Sequence, residues 1–479
     1  MIKFTQRNLA APKQMRPVYV VAAGQSDFKK RYPEKKTEEL CVEAFRMLAL
    51  ENNLKVDGVQ ELKGYIHSAF YGHFADHFGD QLLGEALIHD RLGLDPMGNV
   101  GVKTGGATGG STLWMAANAV ASGYSDCVLA MGWERMDEVD TWTGNHYIAT
   151  AADKDWETEL GHIYTGYYAL MAQRYWKTFG KSSPAFRRTM SKISVKNHGY
   201  ACSNPFAQAP ARITVEDVEK SPVVADPLRF FDCCLMSVGS SAVLLCDEKT
   251  AYELSDDPVR FYIAAGSHTL RTADRRHMEI PLLPHEHDNA EVRKQYAELY
   301  GDEKVERYPG FTGFLAARMA AYYAYAMTGI HDPCEDLDLV ELHDAFTISD
   351  IQTYEDIGLR PYGSGPDYIE SGDGYLVDPR TGKRGRLPSN LSGGLIGCMH
   401  AVGATGIMQV AELLWQLQGR WDYFHARDEM WQRYSKAKPA DFEDLQVPEA
   451  KRGLAISHAG VGSHVTCSIL MRPEAVIRK

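Results

Sequence analysis

NVGVKTGGATGGSTLWMAANAVASGYSDCVLAMGWERM, residues 99–136, decides how this chain folds. An extended NVGVKT segment breaks at Gly105-Gly106, and an apolar helix is predicted from about Ser111 to Ser122. The strand CVLAMG then closes a strand–turn–helix–strand unit. Such a turn gathers backbone N–H groups at the positive end of a helix, where an anionic oxygen or thiolate is stabilised. The glycine spacing is not that of a dinucleotide fingerprint, and no Lys follows as in a P-loop. Alone, a turn of this kind can equally serve only to pack helix on strand.

The same grammar recurs far along the chain. Gly393-Gly394-Leu395-Ile396-Gly397 leads into His400-Ala401-Val402-Gly403-Ala404-Thr405-Gly406, the helix IMQVAELLWQLQ follows, and GLAISHAG supplies a later strand. Ala-Thr-Gly stands at 107–109 and again at 404–406, each time opening an apolar helix. Two similar βαβ-type halves are therefore expected, with a site where the helix N-termini of both halves meet.

A length of 479 residues suits two or three packed domains. The 44% hydrophobic and 24% charged content is that of an ordinary globular protein. A net charge of −12 argues against nonspecific nucleic-acid binding, which needs a basic face. No apolar run approaches a signal peptide or a bilayer span, so a cytoplasmic protein with no membrane partner is expected. Nine cysteines, single apart from Cys233-Cys234, read as reduced thiols, and the absence of CxxC leaves no zinc ribbon in this chain.

In chain order, PVYVVAA (17–23) reads as a strand and Thr37 to Asn52 as a helix. His73 and His77, with Asp76 between them, would share a helical face, a spacing that can hold a metal but more often marks interface histidines, and no metal is assigned. Gly161 to Phe179 reads as an aromatic-rich helix, and Arg187 to Lys220 as a basic, loop-rich stretch able to cover a site between the halves. DPLRFFDCCLMSVGSSAVLLCD returns to a buried strand, Phe261 to Gly266 opens the second half, and His268 to Glu306 is irregular. Phe311 to Thr328 is an apolar helix, and Leu337 to Glu341 a strand leading to His343-Asp344-Ala345-Phe346. Arg360 to Arg386 reads as a loop at the mouth of the site or the surface, and Arg420 to Lys451 as a charged surface or partner insertion.

The pieces AANAVASG…CVLAMGWERM, GHIYTGYYALMAQRY, VKNHGYACSNPFAQ, VADPLRFFDCC, VELHDAFTISDIQTYEDIGL, SGGLIGCMHAVGATG and SHAGVGSHVTCSIL together resemble the thiolase superfamily, in particular its sterol-carrier-protein-x branch. The resemblance spans nearly the whole chain. It implies an α/β thiolase fold of two similar βαβαβαββ halves, each with a five-stranded sheet, forming five αβαβα layers with an inserted loop domain. The halves would be 15–255, with the insert at about 137–225, and 256–479. It further implies a homodimer, and coenzyme A as a substrate with no permanently bound cofactor. It also implies a small zinc-ribbon and OB-fold subunit on a separate chain. Family members make or break the C2–C3 bond of a 3-oxoacyl-CoA through a cysteine thioester, and bacterial relatives include benzoylsuccinyl-CoA thiolase.

Three histidines carry over by motif: His343 (HDxF), His400 (here Cys-Met-His-Ala) and His458, with Gly460 and Gly462 in the same C-terminal loop. Two imidazoles on one carbonyl oxygen make an oxyanion hole, and His458 would act in acid–base transfer. Gly106 stands where the nucleophilic cysteine belongs, and Ala345 where several relatives carry a second thiol. Three readings follow. Thiolysis of a 3-oxoacyl-CoA with CoA as acceptor, through a substitute thiol, Cys398, is the first, and thiolysis is the preferred expectation because the histidine set is retained. Retro-aldol cleavage of a 3-hydroxyacyl-CoA without a covalent intermediate is the second. A noncatalytic acyl-CoA-binding or scaffold subunit is the third. A bulky or aromatic acyl group would suit the aromatic content.

Overall fold

Both Ala-Thr-Gly tripeptides lie where two buried helices, Thr108–Ala121 and Val402–Leu417, touch. A Cβ on Gly109 would stand 2.7 Å from the Gly406 nitrogen, and one on Gly406 would stand 2.4 Å from the Gly110 nitrogen. Any side chain at this crossing would force the backbones apart, which is why the tripeptide ends in glycine in both copies. The computed structural model describes residues 9–180, 183–271, 281–299 and 310–477.

The described residues hold eleven strands, β1 Val18–Gln25, β2 Ser68–Gly72, β3 Gly98–Val102, β4 Cys127–Arg135, β5 Val223–Ala225, β6 Leu228–Arg229, β7 Val238–Asp247, β8 Val259–Ser267, β9 Leu339–Glu341, β10 Arg452–Ala459 and β11 His464–Met471. Nine of them form one sheet in the order β3-β2-β4-β7-β1-β8-β11-β10-β9, while β5 and β6 pair separately. The two halves join through the antiparallel pairing of Tyr19 with Arg260 and Val20 with Val259. The order is mirrored about this seam, as expected of two similar halves. The helix Thr37–Glu51 packs on β1 and β7, and Leu315–Thr328 packs on β8 and β11. The two buried helices lie between the halves and touch strands of both, which completes five αβαβα layers.

Among the described residues the second half contributes four strands where five were expected. A single parallel bridge between Val340 and Ser389 stands where the fifth would run. The chain turns away at once, through left-handed Asn390 (φ 57°) and Gly393 (φ 100°), so no ladder extends from that bridge.

Three stretches read as loop or surface are otherwise. Arg187 to Lys220 begins within a 19-residue helix, Ser183–Ala201. Phe186, Met190, Ile193, Asn197 and Ala201 are buried at helical spacing, and the polar Lys196 and Asn197 hid that stripe by being buried with partners. Lys196 Nζ donates to the Ser389 carbonyl at 2.6 Å and Asn197 Nδ2 to Asp344 Oδ2 at 2.7 Å. The 137–225 stretch is thus largely helical, with Thr141–Ala149, Tyr164–Thr178 and Val215–Lys220 as well. Residues 420–451 bury Trp421, Phe424, Trp431 and Tyr434, with Phe424 stacked on Trp415 at 4.1 Å, so this insertion completes the core. In the 360–386 loop, Tyr362, Tyr368 and Ile369 are buried. Of His268 to Glu306, the described part holds the helices Pro284–His287 and Ala290–Leu299, while 272–280 and 300–306 lie outside the described residues.

One buried carboxyl ties the halves together. Glu134, at the end of β4, accepts the N–H of Phe74 at 2.9 Å and of Gly403 at 3.0 Å through the same oxygen. Burial pushes its carboxyl up to about 8, so at neutral pH it is largely uncharged and still an acceptor. Glu134→Ala, which strands two buried amides, is expected to cost about 1–3 kcal/mol per amide. Glu134→Gln keeps the acceptor and should cost much less; urea denaturation of both variants checks this.

Candidate active site

A cavity of ≈ 90 Å³ opens where the N-terminal ends of the two buried helices face the C-terminal ends of β9 and β10. Gly106 enters it from the turn Gly105–Ala107 that precedes the first helix. His400 and Val402 enter from the start of the second, His343 from just beyond β9, and His458 and Gly460 from the end of β10. This is the usual address of a ligand in parallel α/β architecture, outside the carboxyl ends of strands and at helix N-termini.

The three imidazoles form one cluster. His343 and His400 are 5.0 Å apart between ring centroids and nearly perpendicular, and His343 stacks on His458 at 5.1 Å. His400 Nδ1 engages Thr405 Oγ1 at 2.9 Å, so Nε2 is the nitrogen left for a substrate. His343 Nδ1 is buried and has no hydrogen-bond partner among the described residues. Phe314 packs edge-on to His458 at 4.7 Å. A Cβ on Gly462 would lie 2.3 Å from that Phe314 ring, so Gly462 makes room for the packing rather than lining the cavity.

Burial holds His400 down to about 4 and His343 well below the usual imidazole range, the latter also because His400 and His458 stand beside it. His343 and His400 are therefore uncharged at neutral pH and act as neutral N–H donors and acceptors. Behind it, Asp344 Oδ1 accepts the Leu395 N–H at 2.6 Å, the Leu342 N–H donates to Asn390 Oδ1 at 2.6 Å, and Ser349 Oγ donates to the His343 carbonyl at 2.9 Å. These bonds hold the loop bearing His343 against the turn leading to His400.

Apolar and aromatic residues complete the wall. Asn145 and Ile148 come from the helix Thr141–Ala149, Tyr164 and Tyr168 from Tyr164–Thr178, and Phe74, Met136 and Phe346 from the halves themselves. Residues of the 137–225 stretch thus cover the site.

A model of the family described as thiolase C-terminal domain-like matches residues 297–428. An acetyl-CoA acetyltransferase of Methanothermobacter thermautotrophicus is 38% identical over 334 residues, which cover 70% of this chain and 75% of that protein. The chain belongs to the thiolase family. The benzoylsuccinyl-CoA thiolase subunit BbsB of Thauera aromatica is 26% identical over 421 residues, 85% of this chain and 91% of that one. Among solved structures, the Ltp2-ChsH2(DUF35) aldolase shares the fold with a TM-score of 0.67 at 20% identity, over 95% of this chain and 98% of that one.

Against the thiolase pattern, the structure brings Gly106, His343, His400, His458 and Gly460 to one cavity and leaves Gly462 behind it and Cys398 out of it. Cys398 is fully buried among core side chains with Asn204 Nδ2 at 3.6 Å from its sulfur, and burial pushes its thiol well up. The 360–386 loop does not line the cavity either.

His73 and His77 diverge instead of sharing a face. Asp76–Phe78 is a short 3-10 turn, His73 stacks on Trp133 at 5.0 Å with Nε2 on Asp76 at 2.8 Å, and His77 packs against Tyr147. No group of three or more metal-ligating side chains gathers among the described residues. Sequence reasoning missed Cys234 and Met236, which nothing in their spacing announces, and it read Tyr164 and Tyr168 only as part of an aromatic-rich helix although their i, i+4 spacing marks one helix face.

At Gly106 the space for a side chain is taken, since a Cβ there would lie 2.4 Å from the His458 carbonyl oxygen. Gly106→Ala is expected to destabilise the fold by about 1–3 kcal/mol through overpacking; Gly106→Cys should do the same and should take up no acyl group from an acyl-CoA, as intact mass would reveal. His400 supplies a second test. Its folded pKa lies below the unfolded value of about 6.5, so the unfolded chain binds the proton first, and the stability it contributes above about 6.5 is lost as pH falls through about 4. His400→Gln should flatten the pH dependence of unfolding free energy across that window.

Proposed function

We propose that this thiolase-family chain breaks or makes the C2–C3 bond of an acyl-CoA through an enolate, with no acyl-enzyme. The favoured substrate is a 3-hydroxyacyl-CoA, cleaved in the retro-aldol sense. The observation that carries this reading is the contact at Gly106: the position of the family nucleophile has neither a thiol nor room for one, since the His458 carbonyl occupies it. With Cys398 in the core, the substitute-thiol route loses its candidate.

What the cavity does contain suits an enolate. His343 and His400 point N–H groups at the thioester oxygen as it gains charge, and the helix N-termini at Gly106 and Val402 add their positive ends. His458, stacked on His343, takes the proton of the 3-hydroxyl as the C2–C3 bond breaks. Gly460 keeps this end of β10 close, its carbonyl accepting the Tyr168 hydroxyl at 3.2 Å. The lining by Phe74, Met136, Tyr164, Tyr168 and Phe346 fits a bulky or aromatic acyl group.

Direct thiolysis of a 3-oxoacyl-CoA by free CoA is a second reading, favoured by relatives named acetyl-CoA acetyltransferase and benzoylsuccinyl-CoA thiolase subunit. Coenzyme A carries the acyl group of the substrate in either case and is a free co-substrate only in thiolysis. The halves are assigned as 15–255, including the 137–225 insert, and 256–479. A homodimer is in keeping with β3, whose exposed residues form an edge of the large sheet. A small zinc-ribbon and OB-fold subunit is the partner to seek.

The test is copurification with any bound subunit, followed by product analysis on panels of 3-hydroxy- and 3-oxoacyl-CoAs with and without free CoA. Cleavage of a 3-hydroxyacyl-CoA to a carbonyl compound and a shorter acyl-CoA, with no CoA added, is the expected outcome. His343→Ala and His400→Ala should each lower kcat by about 10²–10³. A strict requirement for free CoA would move the assignment to thiolysis, and inertness toward both panels would leave an acyl-CoA-binding subunit.

A further inference from the structure

Eight of the nine cysteines are buried, and Cys234 alone is partly exposed. It lines the cavity of the three histidines. Its backbone N–H donates to the Ala345 carbonyl at 2.9 Å, which sets it beside the position where a second family thiol is missing. The strand-like bridges Cys233–Phe346 and Met236–His400 flank it, so residues 233–236 span the loops that carry His343 and His400. Its neighbour Cys233 is otherwise engaged, its thiol donating to the Arg229 carbonyl at 3.4 Å. On the same wall, buried His343 has a ring nitrogen with no protein partner among the described residues, which marks this cavity as the place of a polar ligand.

We propose that Cys234 is the group that delivers and removes the proton at C2 of the acyl-CoA, in place of the thiols absent at 106 and 345. This rests on the enolate reading above. Burial and the nearby Asp344 push the Cys234 thiol up to about 12, so it stays S–H at neutral pH, as a proton donor requires and a thiolate nucleophile does not. In the cleavage direction His458 accepts the 3-hydroxyl proton, the C2–C3 electron pair moves into the thioester as an enolate, and the enolate C2 takes the proton of Cys234. The resulting thiolate regains a proton from His458 by way of the vacated site, so protons and charge balance with no other reactant. Run in reverse, His458 takes the Cys234 proton and the thiolate so formed removes a C2 proton from a short acyl-CoA.

That reverse step is directly measurable. The chain, purified with any bound subunit, is incubated with acetyl-CoA or propionyl-CoA in D2O, and deuterium entry at C2 is followed by mass spectrometry. The unmodified protein should exchange C2 hydrogens, and Cys234→Ala and Cys234→Ser should both exchange about 10²–10⁴-fold more slowly. Cys234→Ser preserves side-chain volume, so acetyl-CoA affinity within about threefold of the parent separates lost proton transfer from lost folding. Exchange by Cys234→Ser at the parent rate, or an acyl group found covalently on Cys234, overturns the assignment of Cys234 and leaves or revises only that. Absence of exchange in the unmodified protein overturns the enolate reading itself, and this inference with it.

Discussion

The backbone contact between Gly109 and Gly406 is the constraint on which the rest of the molecule depends. Two apolar helices, one from each half, can lie together between the sheets only if nothing larger than hydrogen projects at their crossing. Once they cross there, both N-termini open on the same side, and the turn at Gly106 and the loop at His400 face one another. The cavity is a consequence of that crossing. Glu134 fixes the approach from the outside, holding the amides of Phe74 and Gly403 with one oxygen.

The site's chemistry follows from the burial of its side chains. Burial disfavours the charged form of His343 and His400, and at His343 the two neighbouring imidazoles add to this, so both remain neutral hydrogen-bond donors. The helix ends supply a fixed positive potential, a poor place for a cation and a good one for an oxyanion. The carboxylate of Asp344 is kept off the substrate by being spent on the Leu395 amide and Asn197, and burial draws its carboxyl up to about 6. It shapes the loop without placing a competing negative charge at the reaction.

The repeated Ala-Thr-Gly and the motif histidines were legible because each reflects a local rule: glycine at a close crossing, histidine at a strand or helix end. The helix Ser183–Ala201 was not, because its buried Lys196 and Asn197 look like surface residues until their partners Ser389 and Asp344, distant in sequence, are in place. The 420–451 insertion misled for the same reason: its charges face outward while Trp421, Phe424 and Trp431 close over Trp415. Cys398 and Cys234 reverse roles for a purely spatial cause. Sequence proximity to His400 favoured the former, yet its side chain enters the core, whereas Cys234 reaches the cavity through pairing with Ala345.

By itself the sequence determined that there are two similar α/β halves and which glycines open their buried helices, and it picked out three histidines that gather at one cavity, because these depend on short-range conformational demands written in consecutive residues. Only the tertiary structure decided that the described residues of the second half form four strands, that the space at Gly106 belongs to the His458 carbonyl, and that Cys234 rather than Cys398 lines the cavity. Those outcomes depend on how segments far apart in the chain compete for the same few ångströms, and no local pattern records the winner.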